Sequence, residues 1–80
     1  MAALELFHRI ADDGSAAARR RVLALGIKGR VTFRNVAFDS HREALAAHGG
    51  VATPALWDGE RLQVGVDAVL AALDRVAARD

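Results

Sequence analysis

The sequence predicts a single α/β domain, an α+β sandwich in which a four-stranded mixed sheet carries helices on both faces in the order βαβαββα. Three observations lead there. Short apolar or β-branched runs at Leu4-Glu5-Leu6-Phe7 and Val31-Thr32-Phe33 are separated by an alanine-rich segment with helical spacing, the pattern of a βαβ unit. Two further short runs, Ala55-Leu56-Trp57 and Arg61-Leu62-Gln63-Val64, flank Asp58-Gly59-Glu60, and Asp-Gly is a strong hairpin signal. A last segment with an apolar stripe follows them.

The first strand is expected over residues 3–8, with the polar tail His8-Arg9 reaching solvent at its C-terminal end. Ser15 to Leu25 sets Ala18, Val22 and Leu25 at i, i+4 and i+7, an amphipathic helix that Gly26 stops. β-branched and aromatic content places the second strand over residues 31–38, and the helix between the two strands implies a parallel, right-handed crossover. Ser40-His41-Arg42-Glu43 matches a capping box, so a short helix is expected over 41–48, ending at Gly49-Gly50. The last helix, 67–78, puts Leu70, Leu73 and Ala77 on one face, flanked by Val69 and Val76. Helices one and three are expected on one face of the sheet and helix two on the other. No linker or repeat interrupts the chain, so one domain spans 1–80.

A chain of 80 residues buries only about 60% of its unfolded surface on folding. It has no cysteine, so the core must rest on packed aliphatic side chains, which its 52% hydrophobic content supplies. Eleven Lys and Arg against ten Asp and Glu leave a net charge of +1, too weak a field to gather nucleic acid or anionic lipid. Met1-Ala2-Ala3-Leu4-Glu5 lacks a basic segment followed by an apolar run, and no stretch approaches the roughly 20 apolar residues that span a bilayer. A cytoplasmic protein with no nucleic-acid or membrane partner is the expectation, as a monomer or a weak dimer through an open sheet edge.

The element order, together with Val51-Ala52-Thr53-Pro54, resembles glutaredoxins and their relatives of the thioredoxin fold over about residues 4 to 77. Leu4 to Ile27 is similar to that family's first strand, active-site loop and first helix. Asp12-Asp13-Gly14-Ser15 stands in the Cys-x-x-Cys slot, with Asp12 at the nucleophilic cysteine and Ser15 at the resolving one. Phe33 to Leu45 looks like the second strand and the acidic turn into helix two. Thr53-Pro54 looks like the loop that carries the cis-proline, and Gly65-Val66-Asp67 like the Gly-x-Asp that opens the last helix. The resemblance implies that Arg9 meets the glycyl carboxylate of glutathione, that the Thr53 backbone clamps its peptide part, and that Asp67 holds its γ-glutamyl end.

The loop chemistry departs from the family. A carboxylate at the start of helix one enjoys the dipole field that ionises a cysteine there, but it cannot form the mixed disulfide that thiol exchange requires. No residue is therefore assigned a catalytic role. The leading expectation is a non-catalytic module that binds a protein or peptide along the cis-proline groove through Arg9, Asp12, Asp13, Thr53, Pro54 and Asp67, with no cofactor. The alternative is a glutathione-binding or glutathione-dependent enzyme, a transferase or oxidoreductase by descent. Asp12, Asp13 and Ser15 are all good helix caps, and an X-Pro bond costs only about 0.5 to 1 kcal/mol to be cis.

Other constellations read more simply. His8, Asp12 and Ser15 hold the residue types of an acid, a base and a nucleophile, without evidence of an oxyanion site. His41 and His48 lie on one face of helix two and are expected in solvent rather than on a metal, which needs three or four ligands. Arg19-Arg20-Arg21 reads as a solvated helix flank, Trp57 as core, and Gly14-Ser15 as a poor phosphate site beside two carboxylates.

Overall fold

The computed structural model describes residues 3–79, so the leader reading at Met1-Ala2 lies outside the described residues. In chain order the elements are β1 (Leu4–His8), α1 (Asp13–Ala24), a 3-10 turn (Lys28–Arg30), β2 (Val31–Asn35), α2 (Asp39–Ala47), β3 (Ala55–Trp57), β4 (Leu62–Val64) and α3 (Val66–Ala78). The sheet runs in the order β2-β1-β3-β4, with β2 parallel to β1, β3 antiparallel to β1, and β4 antiparallel to β3. Strands β1, β2 and β4 therefore finish, and β3 starts, at one end of the sheet, the upper end below.

The two-residue repeat of a strand divides β1 between two cores. Leu4 and Leu6 pack with Ala18 and Val22 of α1 and with Val69, Ala72 and Leu73 of α3. Phe7 points the other way, onto Val36, Leu45 of α2 and Ala55. So α1 and α3 cover one face and α2 the other, the arrangement that the family resemblance implies.

Several element boundaries and faces differ from the sequence reading. Strand β2 stops at Asn35, not at 38, because the Asn35 side chain accepts a hydrogen bond from the Ala37 N–H at 2.9 Å while its carbonyl accepts from the Phe38 N–H at 3.1 Å. That local turn competes with the strand ladder. The capping box at Ser40-Glu43 does not form: α2 begins at Asp39, its N-cap is Phe38, and no side chain caps it. Ser40 sits inside the first turn. Arg42 steadies the helix start instead, donating to the Val36 carbonyl at 3.1 Å and pairing with Asp39. On α3 the buried stripe is Val69, Ala72 and Leu73, with Leu70 only half-buried, so the helix is rotated from the face that Leu70 and Ala77 would define. Helix α1 starts at Asp13, two residues before the expected Ser15.

The turn into α3 is fixed by glycine. Gly65 has φ +95°, in the left-handed region that L-residues avoid, and its N–H donates to the Pro54 carbonyl at 3.0 Å. The Thr53–Pro54 peptide bond is cis. At the opposite end Asp58 accepts from the N–H groups of Glu60 and Arg61 at 2.8 and 2.7 Å, closing the β3–β4 turn.

Packing on α1 and α3 yields a direct comparison. Leu73→Ala, at a fully buried position between the two helices and the sheet, should cost about 2 to 4 kcal/mol in urea unfolding. Leu23→Ala, at a position 59% exposed, should change stability by less than about 0.5 kcal/mol. Equal effects would contradict this assignment of the buried face.

Candidate functional site

A helix start leaves backbone N–H groups without partners, and at α1 Asp12 meets them. Asp12 is the N-cap in extended conformation, and its Oδ2 accepts from the Ser15 N–H at 3.2 Å and the Ser15 hydroxyl at 2.7 Å. The same oxygen accepts from the Thr53 hydroxyl at 3.4 Å, which joins the loop before β3 to the helix start. Ser15 is fully buried and its Oγ accepts from the Arg9 N–H at 3.1 Å, closing the β1–α1 loop on itself. These donors, the Ser15 hydroxyl first among them, hold the Asp12 carboxyl below its ordinary range.

The helix start is pressed against Pro54. A Cβ at Gly14 would stand 3.1 Å from Pro54 Cδ and 3.6 Å from Val66 Cβ, so glycine there lets the first turn of α1 reach both the proline loop and the start of α3. Asp12, Ser15, Thr53 and Pro54 are thus brought together at the upper end. Arg9, Asp13 and Asp67 are exposed around them, and none of their side chains makes a hydrogen bond or ion pair among the described residues.

His8 does not reach solvent as its place in a polar tail suggested; it is buried beside α1. The strand register dictates this, since His8 shares the face of Leu4 and Leu6. Its Nδ1 lies 3.0 Å from the Arg19 guanidinium, which can only donate, so the ring is neutral and carries its proton on Nε2. Burial, Arg19 and then His41 hold its pKa below the ordinary value. Arg19 also donates to the carbonyls of Arg9 at 3.1 Å and Ile10 at 3.4 Å, pinning the loop ahead of Asp12.

This geometry takes apart the acid, base and nucleophile set. The fully buried Ser15 hydroxyl donates its hydrogen bond to Asp12, and the acceptor nitrogen of His8 faces Arg19, so His8 does not address Ser15. The three successive arginines also separate: Arg19 turns inward, Arg20 is exposed, and Arg21 pairs with Asp74 of α3 at 2.6 Å.

His41 and His48 are not the solvated pair that helical spacing suggested. His48 stacks on Trp57 with ring centres 3.8 Å apart and planes 12° from parallel, meets Phe7 edge-on at 6.1 Å, and sets Nε2 3.8 Å from Glu5, which itself pairs with Arg34. His41 places Nδ1 3.0 Å from the Asn35 carbonyl and its ring against Phe38. Neither contact is legible without knowing where α2 lies on the sheet. Among the described residues no three His, Cys, Asp or Glu side chains converge as metal ligands, and no helix is long and apolar enough to cross a membrane.

The sequence reading missed the exposed apolar side chains of the loops. Ile10 and Phe38, 66% and 61% exposed, follow β1 and β2 at the upper end, and Val51, 84% exposed, lies in the loop that climbs from the end of α2 to Pro54. The one available signal was large apolar residues inside loops. No family model matches the chain, and neither curated proteins nor solved structures give a match to it.

Ser15→Ala removes the acceptor for the Arg9 N–H and a donor to Asp12 at a fully buried position, and should cost about 1 to 3 kcal/mol in chemical unfolding. His8 adds a pH dependence. Its folded pKa is depressed from 6.5, so the unfolded chain takes up the proton first; stability is complete above that value and declines as pH falls through it towards the folded pKa. The thermal midpoint should drop between about pH 7.5 and about pH 5.5, and His8→Gln should flatten that slope. An unchanged slope in the variant would remove His8 from the explanation.

Proposed function

We propose that this chain is a cysteine-free glutaredoxin-like domain of thioredoxin-type fold that does no thiol–disulfide exchange and binds a protein or peptide at the upper end of its sheet. The observation that carries this reading is the meeting of the Asp12 carboxylate, Thr53 and Pro54 at the start of α1, at the end of the sheet where Ile10 and Phe38 are exposed. Open α/β sheets bind ligands outside the carboxyl ends of their strands, which is where these residues stand. Apolar side chains held in water around fixed polar groups are the composition of a contact surface.

The chain has no sulfur nucleophile, so no mixed disulfide can form on it. With its oxygen already accepting from Ser15 and Thr53, Asp12 serves as a fixed negative charge rather than a reacting group. A partner approaching there meets a carboxylate, exposed Arg9 and Asp13, and the apolar side chains of Ile10 and Phe38. A positively charged or hydrogen-bond-donating group of the partner suits the Asp12 position.

A second reading, glutathione binding, is favoured by one feature: Arg9, Thr53 and Asp67 all lie at this end, with the Arg9 and Asp67 side chains exposed. Against it stands the Asp12 charge where the ligand's sulfur would approach. This reading would make the domain a glutathione-dependent enzyme by descent, with glutathione as its cofactor.

The two readings separate in solution. Photo-crosslinkers introduced at Ile10 and at Phe38 should capture the same protein partner, and Asp12→Lys and the nearly isosteric Asp12→Asn should both reduce that capture; identical capture by all variants would defeat the binding reading. With millimolar glutathione, amide shifts of Arg9, Thr53 and Asp67 should stay in place, and a saturating shift would favour the second reading. Reduction of a small mixed disulfide by glutathione should run at the background rate with this protein added.

A further inference from the structure

We propose a second binding site, independent of the upper end: the groove between α1 and the outer edge of β2, which takes an extended acidic segment of another protein. Ala16, Arg19, Arg20 and Leu23 of α1 form one wall, Phe33 of β2 the other, and Lys28 stands at one end, around a space of about 440 Å³. Residues 16, 19, 20 and 23 share one flank of the helix, turned away from α3. The walls are apolar at Leu23, which is 59% exposed, and at half-buried Phe33.

Charge selects the occupant. No acidic side chain lines the groove among the described residues, although the chain as a whole is nearly neutral. Arg21, the neighbour of Arg20, is paired with Asp74, and Arg34 with Glu5, whereas Arg20 and Lys28 make no hydrogen bond or ion pair among the described residues. The Arg19 guanidinium is committed to His8 and two carbonyls, yet its charge still faces this space. Two unpaired cations and a third fixed one around an apolar floor complement a segment that carries carboxylates beside an apolar side chain.

The backbone selects the shape. β2 is the end strand of the sheet, and among the described residues no strand lies on its outer side. The Val36 N–H donates to the His8 carbonyl, and alternation along the ladder then turns the main-chain N–H and C=O of Phe33 away from β1 and towards that open side. An added strand can pair with Phe33 while its alternate side chains lie over Leu23 and Phe33. A second copy of this chain is disfavoured as occupant, since pairing β2 with β2 about a two-fold axis would bring like charges from Arg20 and Lys28 of both copies together.

Fluorescence anisotropy with a labelled peptide of alternating glutamate and leucine tests the proposal. The peptide should bind the full chain, lose at least tenfold in affinity to the Arg20→Glu/Lys28→Glu variant and comparably to Leu23→Asp, and weaken steeply with added salt. Asp12→Asn, at the upper end, should leave this binding unchanged, which keeps the two sites distinguishable. N-methylation of the central leucine of the peptide should abolish binding through the lost strand pairing. Equal binding by the matching lysine–leucine peptide, an undiminished affinity in the double charge reversal, tighter binding of a single-stranded oligonucleotide at the same residues, or displacement of the peptide by self-association of the chain would each overturn it.

Discussion

The upper end of this domain depends on one carboxylate oxygen. Asp12 Oδ2 receives the main chain of α1, the Ser15 hydroxyl and the Thr53 hydroxyl, three donors from two segments that lie 41 residues apart in sequence at their widest. Ser15 passes the constraint back to the Arg9 N–H, and Gly14 lets the helix start lie against Pro54. The Pro54 carbonyl then holds Gly65 at the head of α3. A chain of hydrogen bonds and one close approach thus set the relative positions of the loop after β1, the loop before β3 and the starts of two helices. Such linked polar contacts in a partly buried setting reinforce one another, and each member depends on its neighbours for its orientation.

The central strand β1 carries this arrangement into the body of the sheet. On the α1 side its apolar residues end in His8, whose neutral ring is held by Arg19; on the α2 side Glu5 is partnered by Arg34 and approached by His48. Both polar groups are compensated by cationic or aromatic neighbours, as groups removed from water require. Arg19 links the two levels, because the guanidinium that satisfies His8 also grips the loop leading to Asp12. A small domain with no covalent staple gains order here from a few shared polar side chains as well as from aliphatic packing.

Chemistry at the α1 start follows from what occupies it. A helix N-terminus stabilises negative charge, and Asp12 supplies that charge permanently, with a lowered pKa and its acceptor capacity engaged. The result is a fixed negative polarity at the start of α1. Exposed Ile10, Phe38 and Val51 lie in loops, which tolerate such side chains because they carry no packing duty in either core.

Local signals in the sequence determined the element order, the Asp-Gly turn between β3 and β4, a polar cap somewhere among Asp12, Asp13 and Ser15, and the absence of cysteine chemistry, since each depends on a few adjacent residues. Tertiary structure alone decided the rest. Whether His8 ends in water or beneath α1 depends on strand register, and whether His48 meets solvent or Trp57 depends on where α2 crosses the sheet. The apparent cap at Ser40 fell inside the first turn, because the Asn35 turn ended β2 early and α2 begins at Asp39 with Arg42 holding its start. The stripe on α3 turned towards Val69 and Ala72 because helix rotation is chosen by the surface it packs on, and several apolar faces were available to a segment so rich in alanine, leucine and valine. Contacts between residues far apart in sequence have no local signature, and those contacts are what bring Asp12 to Thr53 and Gly14 to Pro54.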